Sequence, residues 1–127
     1  MDENKSYLKY LIGRTINFIT VDINSVYTLK KKKEDKSEHQ MSVYTQFYFD
    51  EYRLDVYNKS EIIGGLNINS KDLVGLKVIE TNETDERAEL VFDNGYIFII
   101  DLRDEAYSSD PDAMCLEGPN NLIVVWN

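Results

Sequence analysis

The sequence predicts a mainly β protein, a β-sandwich or partly open barrel with a short N-terminal helix, and three observations carry that expectation. Apolar and β-branched residues alternate over several short windows, Asp93-Asn94-Gly95 divides two of those windows, and a six-residue pattern recurs in both halves of the chain. Of the 127 residues 43% are hydrophobic and 29% charged, enough apolar surface for one core, so 1–127 reads as a single domain.

Taken in order, Tyr7, Leu8, Leu11 and Ile12 have the spacing of one helical stripe, and Gly13 follows where a helix would end, which predicts a short opening helix. Ile16, Phe18, Ile19, Val21 and Ile23 favour a strand over 15–23, and Val26 to Leu29 a second strand after Asn24-Ser25. Lys30 to Gln40 holds five Lys, three acids and no apolar residue; with nothing to bury, it is expected as an exposed hairpin tip. From Met41 to Tyr57 the apolar positions alternate, with Val43, Thr45, Phe47 and Phe49 on one face and Tyr44, Gln46 and Tyr48 on the other. Asp50-Glu51 interrupts the run and predicts a hairpin that returns through Leu54 and Val56. Asn58 to Ser70, with Gly64-Gly65, reads as a connection with a short strand near Ile62 or Ile68. Val74, Leu76 and Val78 predict a strand over 73–80, with a polar turn at 81–86. Ala88 to Phe92 and Tyr96 to Leu102 then flank Asp93-Asn94-Gly95 as a hairpin. Asp104 to Pro119 reads as irregular backbone in which Asp110 caps a helical turn begun at Pro111, and Leu122 to Trp126 closes the chain as a strand.

The recurring pattern is Leu11-Ile12-Gly13-Arg14-Thr15-Ile16 against Leu73-Val74-Gly75-Leu76-Lys77-Val78. Each copy leads to a strand ending in Phe-Asp, Phe49-Asp50 or Phe92-Asp93, before a return strand. This leaves two readings open: an internal duplication of 7–58 and 69–102 with strand 122–126 added, or two meanders that resemble each other only in general pattern.

Charge is unevenly placed. The formal net charge is −9, yet residues 1–63 carry ten acids and ten bases, whereas 64–127 carry thirteen acids and only Lys71, Lys77, Arg87 and Arg103. A surface of this sign repels phosphate backbones and steers a basic partner, so nucleic acid is not expected as a ligand. The same acidity also serves solubility alone in many small proteins. No apolar run approaches the roughly 18 residues that span a bilayer, and Met1 to Lys5 is charged without a signal-peptide stretch; the expectation is a cytoplasmic protein with no membrane partner.

Few residues offer catalysis. Cys115 is the single Cys and His39 the single His, which excludes an intramolecular disulfide and leaves too few soft ligands for zinc. Cys115, between Met114 and Leu116, reads as a small buried hydrophobe, and His39 as a solvated loop residue. Lys30 to Lys33 could hold phosphate, but Glu34, Asp35 and Glu38 cancel most of their field. Asp101, Asp104, Glu105, Asp110 and Asp112 form the densest carboxylate group, without the Gly and terminal Glu of an EF-hand loop. No metal or cofactor is therefore expected. Nine Tyr are suited to anchoring interfaces, with Tyr44 and Tyr48 on one strand face.

Asp110-Pro111-Asp112-Ala113-Met114, followed by Leu116, Gly118-Pro119 and Leu122 to Trp126 behind the Phe92 to Gly95 hairpin, resembles small acidic bacterial domains. Some of these are similar to immunity proteins encoded beside polymorphic or contact-dependent toxins. The resemblance covers residues 73–126 best and rests on turns rather than catalytic signatures. It implies a cognate toxin blocked by surface complementarity, with no catalytic residue to carry over. Together with charge and size, it makes a non-catalytic protein-binding module the leading expectation, an inhibitor of a basic toxin such as a nuclease. The expected partner-binding residues are Glu83, Asp85, Glu86, Asp104, Glu105, Tyr107, Asp110 and Asp112, with Tyr44 and Tyr48. Two alternatives stand beside it: a small-ligand or metal-binding β-barrel enzyme using the Asp101 to Asp112 carboxylates, and a homo-oligomeric structural protein pairing through edges such as Leu122 to Trp126.

Overall fold

The computed structural model describes residues 6–21, 27–28, 39–42, 44–64, 70–104 and 112–127. A 3-10 turn at Tyr7–Leu11 leads into strands β1 (Phe18–Val21), β2 (Tyr27–Thr28), β3 (His39–Ser42), β4 (Thr45–Tyr48), β5 (Arg53–Val56) and β6 (Ser60–Ile63). The four-residue helix α1 (Ser70–Leu73) follows, then β7 (Val78–Glu83), β8 (Arg87–Phe92), β9 (Ile97–Asp101), β10 (Met114–Gly118) and β11 (Leu122–Trp126). All strand pairs are antiparallel and form two sheets, β1-β4-β5-β10-β11 and β7-β8-β9-β6-β3-β2. The protein is mainly β, as the alternation predicts, and among the described residues no closed barrel forms.

One bent ribbon ties the sheets together. β4 and β5 pair in the five-stranded sheet, and their continuations β3 and β6 pair in the other. The ribbon's tip is Asp50-Glu51, where the Phe49 N–H donates to the Tyr52 carbonyl at 2.8 Å. At the crossing between β5 and β6 the chain leaves one ladder for the other, and its polar groups need partners there. The Ala113 carbonyl accepts the N–H groups of Tyr57 and Asn58 at 2.9 and 3.1 Å, the Asp101 N–H donates to the Lys59 carbonyl at 3.1 Å, and the fully buried Asn58 side chain donates through Nδ2 to the Asp101 carbonyl at 2.8 Å.

The core fills the space between the sheets. β4 and β5 contribute Phe47, Leu54 and Val56, β8 and β9 contribute Leu90, Phe92, Phe98 and Ile100, and β10 contributes Met114 and Leu116. Phe47 stands at its centre, 4.8 Å from the Phe98 ring in an edge-to-face contact at 83° and 6.4 Å from Phe92. Asp93-Asn94-Gly95 turns the chain as expected, with the Gly95 N–H on the Phe92 carbonyl and the Phe92 N–H on the Tyr96 carbonyl, both at 2.9 Å. This is a three-residue loop that ends in a left-handed residue, Gly95 at φ +93°.

The two copies of the recurring pattern are hydrogen-bonded to each other. Thr15 and Lys77 form an antiparallel bridge, and the Ile16 N–H donates to the Leu76 carbonyl while the Val78 N–H donates to the Arg14 carbonyl. In each copy a helical turn ends in a buried Leu, Leu11 or Leu73, and Gly13 or Gly75 reverses the chain at φ +87° or +96°. Those dihedrals burden any residue with a Cβ, which accounts for glycine at the same place twice. Each turn lies against the edge strand of the opposite sheet, the 3-10 turn on β7 and α1 on β1.

Several expectations need correction. Residues 30–38 of the presumed tip lie outside the described residues, but His39 and Gln40 belong to β3, paired with β2 and β6, and not to a loop. The strand expected over 73–80 begins only at Val78, because Leu73 ends α1, and it continues to Glu83; the turn is confined to Thr84–Glu86. The irregular stretch placed at 104–119 contains β10, a central strand between β5 and β11. Only Met114 and Leu116 point inward there, too short an alternation to read, and the strand owes its existence to two neighbours. The helical turn at Pro111 lies outside the described residues. A strand is present near Ile62 as β6, whereas Ile68 lies outside them.

Candidate functional site: an acidic pocket at an open sheet edge

The turn between β7 and β8 is shaped by its first residue. Thr84 Oγ1 accepts the N–H groups of Glu86 and Arg87, both at 3.2 Å, and the Thr84 N–H donates to the Arg87 carbonyl at 2.8 Å. This self-contained turn holds Asp85 and Glu86 out in solvent. The Leu102 N–H reaches the Glu86 carbonyl at 2.8 Å, which fixes the end of β9 beside the turn.

Glu83, at the end of β7, joins the ends of the described chain. Its Oε1 accepts from Ser6 Oγ at 2.7 Å and its Oε2 from Trp126 Nε1 at 3.1 Å. Beside the Glu83–Trp126 bond lies an open pocket of about 280 Å³ lined by Glu83, Thr84, Asp85, Leu102, Val125, Trp126 and Asn127. Both nearby arginines are engaged with acids of their own, Arg87 with Glu89 at 3.1 Å and Arg103 with Asp101 at 2.6 Å. Among the described residues no ion pair reaches Glu83, Asp85, Glu86 or Asp104. The pocket thus combines an apolar and aromatic wall with the Glu83 carboxylate, held by neutral donors, and the exposed carboxylate of Asp85, an arrangement suited to the stem and charge of a lysine or arginine side chain.

Among the described residues Asp101 is the carboxylate whose titration is clearly altered. Nε and Nη2 of Arg103 grip its two oxygens at 2.9 and 2.6 Å, and the Arg103 N–H adds a bond at 3.0 Å; this holds the carboxyl below the usual range despite a smaller opposing effect of burial. A carboxyl with a lowered folded pKa adds stability above its unfolded pKa and loses it as pH falls through the folded value. Asp101→Asn is therefore expected to cost on the order of 1 kcal/mol at neutral pH, a deficit that disappears towards low pH. Urea unfolding of both proteins across the acid range measures it.

The expected partner-binding residues divide in four. Glu83, Asp85, Glu86 and Asp104 share the end of the molecule where β7, β8 and β9 meet β11, and only Glu83 and Asp85 line the pocket. Asp112, half-buried, precedes β10. Glu105, Tyr107 and Asp110 lie outside the described residues. Tyr44 and Tyr48 are not brought to the acidic end; they lie on the outer face of the five-stranded sheet, separated from β11 by β5 and β10. There Tyr44 packs on Tyr57 at 5.4 Å and Tyr48 on Phe18 at 5.5 Å.

On that same face a polar row crosses the strands: Thr20 Oγ1 donates to Gln46 Oε1 at 2.9 Å, Gln46 Nε2 to Asp55 Oδ1 at 3.1 Å, and Arg53 pairs with both Asp55 and Glu117. Cys115 stands opposite Asp55 in this row, half-buried and not in the apolar patch expected. Burial, reinforced by Glu117 and Asp55, pushes its thiol pKa up, the reverse of what a nucleophile needs. Among the described residues no group of three or more His, Cys, Asp or Glu converges to hold a metal ion.

Trp126, Val125 and Leu102 escaped the sequence reading of the site. A lone Trp at an inward position of the last strand was the available signal; its meeting with Glu83 depends on the pairing of distant strands. Comparison with family models, curated proteins and solved structures gives no match. Among the described residues no helix is long and apolar enough to cross a membrane.

Proposed function

We propose that this chain is a non-catalytic protein-binding module whose acidic end takes a basic partner, and that it acts as an immunity-type inhibitor of a basic toxin such as a nuclease. The observation that carries the proposal is the pocket of Glu83, Asp85, Leu102 and Trp126, with its carboxylates unmatched by cations among the described residues. Exposed Asp85, Glu86 and Asp104 extend the same field into solvent, where it acts on approach more than on fold. The thiol of Cys115, disfavoured as a nucleophile, accords with a role that is not catalytic. Within the same reading the chain is one domain of two similar halves, 7–58 and 69–102, followed by the added strand 122–126; the matched turns at Gly13 and Gly75 support it.

Co-purification with the product of the neighbouring open reading frame, at low and then high salt, tests the proposal together with a growth assay of that product. A basic protein released by salt, whose toxicity the chain suppresses, is the expected result. A product that forms no complex, or one whose complex is indifferent to salt, contradicts it.

A further inference from the structure

The strand edges of this fold are unequally protected. β1 has α1 against it and β7 has the 3-10 turn, whereas β11 ends the five-stranded sheet with no strand or helix of the described residues on its outer edge. β11 reads Leu-Ile-Val-Val-Trp and carries none of the charges, prolines or bulges that discourage edge pairing. Its outward residues are open, Ile123 at 64% and Val125 at 44%, and its inward residues Leu122, Val124 and Trp126 are only partly covered by the core. At the Trp126 end of this edge lies the acidic pocket.

We infer that β11 is the docking edge for an extended segment of a basic protein, which adds as a sixth strand to this sheet and places one lysine or arginine in the pocket. Main-chain hydrogen bonds along β11 would supply affinity that does not depend on sequence, and the pocket would supply selectivity through Glu83 and Asp85 with the side-chain stem against Trp126 and Leu102. A second copy of this chain is a poorer occupant. Residues 104–127 contain no lysine or arginine, so β11 paired with β11 brings no cation to either pocket. This inference rests on the basic-partner reading above and specifies its geometry.

The test uses isotope-labelled full-length chain and three synthetic peptides: alternating valine and arginine, alternating valine and glutamine, and the valine-arginine peptide N-methylated at every residue, which leaves neither edge of the peptide with N–H donors for strand pairing. The inference expects the valine-arginine peptide to slow amide exchange at 122–126 and shift the Trp126 indole N–H signal. It further expects the combined Glu83→Gln and Asp85→Asn changes to weaken binding about tenfold, and N-methylation to abolish the protection. Unchanged signals away from the pocket show that the double variant is folded. Binding without protection of β11, or equal binding by the N-methylated peptide, overturns the docking edge and leaves the basic-partner reading standing. Equal protection by the valine-glutamine peptide overturns the cation pocket and weakens that reading with it. Protection of β11 that rises with protein concentration alone assigns the edge to self-pairing, and no protection by any peptide rejects the edge altogether.

Discussion

Replacing Phe47 by alanine is expected to remove about 3–5 kcal/mol of folding stability, a large part of the roughly 5–15 kcal/mol that a domain possesses. Phe47 is fully buried on β4, and its ring meets Phe98 and Phe92 of the opposite sheet and Phe49, just past the end of its own strand, at 6.1 Å. Truncation therefore opens a cavity where aromatic rings from both sheets converge. The strands around it are held by ladders on both sides and cannot collapse freely into the space, which places the cost in the upper range for a core residue. Phe47→Leu, which keeps most of the volume, is expected to cost markedly less. Urea unfolding with an unchanged denaturant slope gives both values; a loss below about 1 kcal/mol for the alanine variant contradicts the placement of Phe47 between the sheets.

Local signals in the sequence were reliable where one strand pair closes through a short turn. Asp93-Asn94-Gly95 and Asp50-Glu51 both turn hairpins, and the burial of Thr45, Phe47 and Phe49 against the half-buried Gln46 and Tyr48 follows the alternation. Legibility failed where long-range pairing creates the strand. β10 depends on β5 and β11, which lie far from and close to it in sequence respectively, and β3 is held by β6 across the bent ribbon. Asp55 illustrates the same limit: a carboxylate in a strand reads as an exposed position, yet Gln46 and Arg53 cover it until it is 4% exposed. For the site, charge arithmetic located the acidic half of the chain. It did not separate Glu83 and Asp85, which line the pocket, from the merely exposed Glu86 and Asp104, since that distinction follows from Trp126 and Leu102 arriving from other strands.

Charge reversal at the acidic end is the second large effect expected, this time on binding. Asp85, Glu86 and Asp104 are exposed, so Asp85→Lys, Glu86→Lys and Asp104→Lys together leave the core and the Glu83 bonds untouched. Exchanging three acids for three bases changes the charge by six and takes the formal net charge from −9 to −3. More important, it inverts the local field at the mouth of the pocket, where a basic surface would approach. Steering of this kind acts on association rates and is screened beyond about 8 Å at physiological ionic strength. Stopped-flow association of wild-type and triple-variant chains with the basic partner obtained by co-purification, over a series of salt concentrations, measures the effect directly. An acidic docking end predicts association at least about tenfold slower for the variant at low salt, with the two rates converging as salt rises. Equal rates at low salt would contradict it.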